Sequence, residues 1–564
     1  MKILTKVCGI KKILIFLIPI IFILDCTRNF YDEDMSVAEL QTTSEYLKDH
    51  FEWDPLKARK YFLKYSLRSG DTNLYNLYKK HDYNLLWIER GDLDKNAMQL
   101  IKSLQSSWKE GLSNESYHLG EIYHHIHDLQ SIRKMRTASL KQFIRLDILF
   151  SEAYLNYASD LLSGKINPNE LDSIWEAHPR EKDLVKRMEQ ALETATISYS
   201  LNELKPEQAQ YDKLAGKLKE YMIIRDKGGW KPPGYFSLLA TGDSNKNVLS
   251  LKEFLRNTND LELVDDAYMK SGLFDAKLKK AVIRFQKRHG LEMDGLVGIE
   301  TLKEMNKSVE HRIDQIRVNM ERLRWLPENF GEKYILINLP EFKLRYYHKG
   351  YLLEEMKIVI GDIENYTPVL KDTLREIVFN PAWNIPKSIA VEKILPKIKA
   401  DSSYIDSHDY ILLKKSYLSK DTINPDSIKW SEINRDNFQF YMVQKPGKLN
   451  ALGKVKFLFP NHHAIYLHDT PSKHHFNGRE RNFSHGCIRL ERPLDLALEL
   501  LDGQLSWTDM QKILESKETK RIPLSETISI HFLYTTAWVN KDNRIHFRKD
   551  FYHYDKMTLE KLDD

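Results

Sequence analysis

The chain has 564 residues, too many for a single hydrophobic core, so three or four domains are expected. Hydrophobic residues make up 42% and charged residues 29%, the balance of an ordinary folded protein. The net charge of +5 comes from interspersed acidic and basic side chains, which excludes the basic blocks that nucleic-acid binding requires.

The N-terminal segment carries Lys2, Lys6, Lys11 and Lys12, followed by the apolar run Ile13 to Leu24. That run fits the ~7–15 residues of a secretion signal and falls short of the ~20 that span a bilayer. Cys26 follows directly, where a lipoprotein signal places its lipidated cysteine, although Asp25 occupies a position usually held by a small residue. Residues 1–26 are therefore expected to be a signal peptide or membrane anchor. A buried core helix is the alternative, disfavoured by the basic flank.

Residues 36–235 read as helical. Leu93, Ala97, Leu100, Ile101, Leu104 and Trp108 share one helix face, and Leu146, Leu149, Phe150, Ala153, Tyr157 and Leu161 share another, closed by Ser163-Gly164. No paired catalytic residues occur here, so a scaffold domain is expected. Gly228-Gly229 and Pro232-Pro233-Gly234 break the pattern and place a boundary near 240. A small helical domain over 240–308 follows: Leu278, Ala281, Val282 and Phe285 form a stripe, His289-Gly290 stops it, Asp294-Gly295 turns, and a further helix runs from Ile299 to Met305. From Tyr334 the period changes to two, through Tyr334–Ile337, Lys343–Tyr347 and Leu352–Ile360 with a turn at His348-Lys349-Gly350, which marks a β-rich domain over 315–535. Residues 392–438 interrupt it with polar segments and Tyr404, Tyr410, Tyr417 and Trp430. Residues 536–564 are left as a C-terminal tail.

The chemistry concentrates near the end. Ala464-Ile465-Tyr466-Leu467 is a strand that delivers His468, and a polar loop leads to Ser484-His485-Gly486-Cys487-Ile488-Arg489. A cysteine reacts as thiolate, and a neighbouring histidine lowers its pKa from about 8.5. His468 and Cys487, nineteen residues apart, read as base and nucleophile. Ser484, His485 and Gly486 are small or polar enough to let backbone N–H groups reach a reacting carbonyl, and Gly486 and Cys487 are the candidate oxyanion donors. Arg489 offers a guanidinium fork for a carboxylate, or a structural partner for Glu491. Lys473, His474, His475, Arg479 and Arg481 in the intervening loop form an expected basic rim. A zinc site at His468, His485 and Cys487 is the competing reading, and it lacks the short ligand pairs that zinc sites use. A buried, inert cysteine is the blander one. No metal or cofactor is expected.

These residues resemble the signature of the YkuD-type L,D-transpeptidases. Gln444–Gly447, Asn450–Gly453, Ala464–Pro471, Asn319–Pro327 and Asn380–Pro386 resemble stretches of their large, multidomain, YcbB-like branch, and Phe285–Leu291 with Asp294-Gly295 resembles a three-helix peptidoglycan-binding domain. The resemblance implies a multidomain α+β chain: a helical scaffold, a peptidoglycan-binding domain, and a β-rich catalytic domain with a capping insertion at about 392–438. It implies a cell-envelope enzyme on the periplasmic side. Cys487 would attack the carbonyl before the terminal D-alanine of a tetrapeptide stem, with His468 as base, its ring oriented by the Asp469 carbonyl. The thioester would pass to an amine of another stem to give a 3-3 cross-link. A carboxypeptidase or hydrolase of the same fold and a non-catalytic peptidoglycan-binding scaffold are the alternatives. Peptidoglycan stem peptides are the expected partner, nucleic acid is not, membrane attachment would run through the N-terminus, and the oligomeric state is open.

Overall fold

The computed structural model describes residues 53–69, 72–131, 140–171, 175 and 179–563. The expected signal or anchor over 1–26 lies outside them. Among the described residues no helix is long and apolar enough to cross a membrane.

The chain divides into two compact units, the first comprising Met1–Trp108, Ser113–Tyr154 and Gln190–Ser198. Helix Lys95–Gln105 begins where the Asp94 carboxylate accepts the Ala97 N–H at 2.8 Å, and it buries Ala97, Leu100, Ile101 and Leu104 of the predicted stripe completely, while Leu93 lies in a strand before the helix and Trp108 in a turn after it, both half-buried. A two-residue ribbon precedes it, pairing β1 (Ile88–Glu89) with β2 (Asp92–Leu93). The buried Asp147 carboxylate accepts the Tyr78 hydroxyl at 2.7 Å and the Leu86 and Trp87 N–H groups, so a lone polar group in the core is satisfied by three donors. Burial nevertheless raises its pKa to about 7.

The second unit holds the other domains. Its small helical module consists of helices Lys246–Asn257, Asp266–Lys270, Ala276–Arg288 and Ile299–Met305 around Leu251, Phe254, Leu278, Val282, Phe285 and Leu302. The Asp294 carboxylate accepts from the Gln286 amide and the Leu296 N–H, so it closes the turn rather than facing a ligand. Helix Val309–Arg324 then runs almost wholly buried, each inward cation matched by an acid: Arg312 with Glu304 at 2.7 Å, Arg322 with Asp555 at 2.5 Å and Arg324 with Glu321 at 2.6 Å.

The β-rich part is built from β3 (Lys333–Asn338), β4 (Lys343–His348), β5 (Tyr351–Gly361), β6 (Lys371–Phe379), then β7 (Trp383–Ile385), β8 (Tyr410–Leu413), β9 (Thr422–Ile423) and β10 (Tyr441–Gln444). It continues with β11 (Val455–Leu458), β12 (Leu467–His468), β13 (Asn482–Ser484), β14 (Ile488–Leu490) and β15 (Lys520–Leu533). The large sheet has the order β13-β5-β14-β12-β11-β6-β15-β3-β4, and β5 pairs with β4 as well as β14, so the sheet closes on itself. Strands β7 to β10 leave it to form a separate four-stranded sheet. That sheet packs Ile394, Leu395, Ile398, Leu412, Trp430 and Met442 into a core of its own. The segment expected as an insertion over 392–438 is thus flanked by two strands of its own sheet, Trp383–Ile385 and Tyr441–Gln444.

Residues 536–563, expected as a tail, are folded. A hairpin pairs β16 (Ala537–Val539) with β17 (Ile545–Phe547), and helix Tyr554–Asp563 follows. The segment buries Ala537, Val539, Ile545, Phe547 and Leu562 in strands and a helix too short to stand out in the sequence, and polar contacts tie it down: Thr536 accepts from Asn319 and donates to Asp555, and Arg322 reaches Asp555 and Thr558. Removing the acid should leave Arg322 as a buried cation without its carboxylate. Asp555→Ala is expected to destabilise the protein by ~3 kcal/mol, seen as a lowered Tm. Lys556→Ala, at an exposed site, should change stability by less than ~0.5 kcal/mol.

Candidate active site

Strands β12 and β14 pair in parallel with Leu467 opposite Ile488 and His468 opposite Arg489. Leu467, Ile488 and Leu490 are fully buried in the core. Because side chains alternate along a strand, the residues between them project from the opposite face, which brings Tyr466, His468, Cys487 and Arg489 together. On the other side of β12, Lys456 of β11 pairs with His468 and adds an ammonium to the same face. Sequence reasoning singled out His468, Cys487 and Arg489 and missed Tyr466 and Lys456, although the alternation at 464–468 already placed Tyr466 beside His468.

His468 is 5% exposed, and its Nδ1 meets the Asp469 carbonyl oxygen at 2.5 Å. A carbonyl only accepts, so Nδ1 carries the proton and Nε2 is left as the base. The Asp469 carboxylate is occupied elsewhere: it accepts the Lys454 N–H at 2.8 Å and pairs with Lys473 at 2.7 Å. Burial, reinforced by the Arg489 charge, lowers the His468 pKa to about 3. Burial likewise pushes the Cys487 thiol up to about 11, opposed by hydrogen bonds from Tyr466 and by the charges of Arg489 and Lys456. Both shifts oppose the expected thiolate and favour a neutral thiol beside a neutral imidazole, because desolvation outweighs the neighbouring cations. The Tyr466 hydroxyl also bonds the indole of Trp383, at the first strand of the four-stranded sheet.

The loop before the nucleophile is held by its own side chains. Ser484 Oγ donates to the Cys487 carbonyl at 2.6 Å and accepts the Gly486 N–H at 3.2 Å, so buried Ser484 shapes the loop and Gly486 N–H is engaged. Among the described residues the Cys487 N–H has no acceptor, which leaves it the candidate oxyanion donor. Gly486 has φ +101°, and a Cβ there would sit 3.1 Å from Ile465 Cδ1, so only glycine makes this turn without strain. Thr367 donates to the Gly486 carbonyl at 2.8 Å and accepts the Gly361 N–H, and Tyr552 donates to the Gly361 carbonyl. Thr367 and Tyr552 carried no sequence signal, since both come from distant segments. His485 is exposed.

The expected basic rim does not form. Lys473 is bound to Asp469 and to the Leu490 and Glu491 carbonyls, and buried Arg481 donates to the carbonyls of Ile358, Gly478 and Phe342. His474 is exposed. Among the described residues no carboxylate lies within ion-pair distance of Arg489, and its Nε is buried without a partner. Glu491, its expected structural partner, pairs with Lys357 and Arg492 instead. Among the described residues no group of three or more His, Cys, Asp or Glu side chains is placed to hold a metal.

Residues 332–506 match the family model of the L,D-transpeptidase catalytic domain. The chain carries an L,D-transpeptidase domain. Residues 72–218 match a scaffold domain and residues 244–305 a "Putative peptidoglycan binding domain". The chain is similar to a Haemophilus influenzae protein named "Putative L,D-transpeptidase", 36% identical over 261 residues. That match takes in 46% of this chain and 50% of the relative, so the chain spans half the length of this curated relative. Solved structures that resemble it include an L,D-transpeptidase from Stackebrandtia nassauensis, at 13% identity and a TM-score of 0.20, covering 52% of this chain and 94% of that one. Another is an L,D-transpeptidase from Mycobacterium smegmatis, at 13% identity and a TM-score of 0.16, covering 36% and 58%. At such scores these two likenesses decide nothing. All six expected site residues, His468 and Ser484 to Cys487 with Arg489, lie inside the transpeptidase domain.

The neutral resting pair has a measurable consequence. Alkylation of Cys487 by iodoacetamide should keep accelerating about tenfold per pH unit from pH 7 towards a midpoint near 11, because the reactive thiolate grows in only as the thiol titrates. Intact-mass kinetics check this, and a plateau already reached at pH 7 would show a thiolate–imidazolium pair instead. Tyr466→Phe removes a bond that favours the thiolate, so its alkylation at pH 9 should be several-fold slower.

Proposed function

We propose that this protein is an L,D-transpeptidase of the cell envelope that works through a thioester on Cys487 and forms 3-3 cross-links in peptidoglycan. The observation that carries the reading is the shared face of β12 and β14. A thiol, an imidazole with a free Nε2 and an unpaired guanidinium stand together beside an open N–H donor.

The thiol sulfur attacks the carbonyl between the third residue and the terminal D-alanine of a tetrapeptide stem. The C–S bond forms as the thiol proton passes to His468 Nε2, so no free thiolate need accumulate. The oxyanion is met by the Cys487 N–H. Collapse breaks the C–N bond, and His468 returns the proton to the departing D-alanine amine. An acceptor amine on a second stem then attacks the thioester, gives its proton to His468, and releases Cys487 as thiol. Arg489 suits the D-alanine carboxylate, since its fork has no protein partner and its burial strengthens a charge-assisted bond. Asp469 positions the base through its carbonyl, held by the Lys473–Asp469 pair.

Incubation with a tetrapeptide stem should add to Cys487 the mass of the peptide less D-alanine, and the acylated protein should yield cross-linked dimers on addition of a second stem. Cys487→Ala should lose both. His468→Ala is expected to lower turnover by ~10²–10⁴-fold, against a mild effect of His474→Ala. If acylation is followed only by release of the tripeptide, the same site is a hydrolase. Carbapenems should leave a single covalent adduct on Cys487, because a strained lactam carbonyl meets the same thiol and donor.

Arg489→Met should raise KM for the tetrapeptide by ~10-fold or more, since a desolvated guanidinium–carboxylate contact is lost. It should leave the iodoacetamide reaction, which has no carboxylate to bind, within a few-fold of the parent. Steady-state kinetics with both reagents separates the two.

A further inference from the structure

Helix Pro55–Ser69 is the first described helix and precedes the residues matched to the scaffold domain. Its inward face is accounted for: Ala58 and Phe62 are buried with Tyr78, Ile144 and Ile148 in a core of the first unit, and Tyr65 packs at the edge of that core. Asp54 caps it, accepting the Leu56 and Lys57 N–H groups at 3.1 Å. The outward face has no such account. Leu56 is 77% exposed, Leu63 42% and Tyr61 40%.

These side chains follow a pattern. Leu56 and Leu63 stand two turns apart on one line of the helix, with Arg59 on one flank and Lys60 and Lys64 on the other. Single exposed leucines are ordinary on protein surfaces, whereas an apolar ridge edged by cations on both sides is the pattern of a helix lying in a membrane interface. Charge separates here too. The whole chain nearly balances 85 basic against 80 acidic residues, yet the 15 residues of this helix include Lys57, Arg59, Lys60, Lys64 and Arg68 and no acid. Lys57 is paired with Asp54 at 3.0 Å. Arg59 lies 5.9 Å from the centre of the Tyr83 ring, and among the described residues Arg59, Lys60 and Lys64, all exposed, make no ion pair with a carboxylate.

The order of the chain points to what this face meets. The apolar run Ile13 to Leu24, expected as a signal or anchor, ends thirty residues before Pro55, a length that reaches at most ~100 Å when fully extended. A helix tethered within that distance of a bilayer meets lipid headgroups at high local concentration. Headgroup phosphates complement the guanidinium and the two ammonium groups, and the long stems of Lys and Arg let the leucines sink while the charges stay in the headgroup layer. Tyr61, apolar in its ring and polar at its tip, suits the same boundary.

We propose that this face is a membrane contact that lays the first unit on an anionic phospholipid surface, with Leu56 and Leu63 entering the headgroup boundary and Arg59, Lys60 and Lys64 meeting lipid phosphates. It is separate from any N-terminal anchor and independent of the transpeptidase reading.

For the test, the full chain is mixed with vesicles of phosphatidylcholine, or of phosphatidylcholine with about 30% phosphatidylglycerol, and acetylation of individual lysines is followed by peptide mass spectrometry. An N-terminal anchor inserts in both, so it cancels from the comparison. The anionic vesicles should slow acetylation of Lys60 and Lys64 about fivefold or more relative to the neutral ones, and leave exposed Lys429 of the second unit within about twofold. Leu56→Ser/Leu63→Ser alters only exposed side chains and should abolish most of that protection, with an unchanged Tm showing that the core is intact. Equal acetylation of Lys60 and Lys64 on both kinds of vesicle overturns the proposal. So does protection of every exposed lysine alike, which would mean general adsorption. Full protection that survives the leucine substitutions also overturns it and, where polyglutamate reproduces that protection, assigns the face to an acidic protein.

Discussion

The parallel register of β12 against β14 is the constraint on which the site depends. Leu467, Ile488 and Leu490 are driven into the barrel core, each burial worth about 2 kcal/mol, and that fixes which way their neighbours point. A slip of one residue would bury His468 and Cys487 side chains in an apolar core and expose three aliphatic ones, so packing enforces the catalytic geometry. The chemistry is aligned by the hydrophobic effect, not by bonds between the reactive groups themselves.

The same burial sets the electrostatics. Close packing around the face withdraws water from the thiol and imidazole, so both rest neutral despite two nearby cations. A neutral thiol is a poor nucleophile and a poor target for oxidants, so under the proposed mechanism Cys487 reacts only as a bound carbonyl arrives and His468 takes its proton. The unpaired Arg489 fits this picture, since a buried guanidinium without a carboxylate is costly unless a ligand supplies one.

Around that face the protein is assembled through buried ion pairs along helix Val309–Arg324. Arg312 ties the helical module, and Arg322 ties the C-terminal helix, to this one element. Such pairs contribute little net stability compared with apolar packing, but losing one partner is severe, so they fix which segments belong together.

The sequence by itself determined the broad order of helical and β-rich segments and singled out a candidate reactive trio. Period-two alternation announced the β-rich part, the helical stripes over 97–104 and 278–285 were buried as read, and a lone cysteine after Ser-His-Gly with a histidine at a strand end pointed to His468, Cys487 and Arg489. These signals are local, carried by side-chain periodicity and turn chemistry within a few residues. What only the tertiary structure decided depends on distant segments meeting. Lys456 reaches the site through strand pairing with His468, Trp383 comes from the separate four-stranded sheet, Thr367 and Tyr552 hold the Gly486 loop from far away, and residues 536–563 combine short buried apolar stretches with polar contacts to distant segments. The protonation of Cys487 belongs to the same class: a neighbouring histidine can be read from sequence, but the loss of water that keeps the thiol neutral is a property of the packed fold.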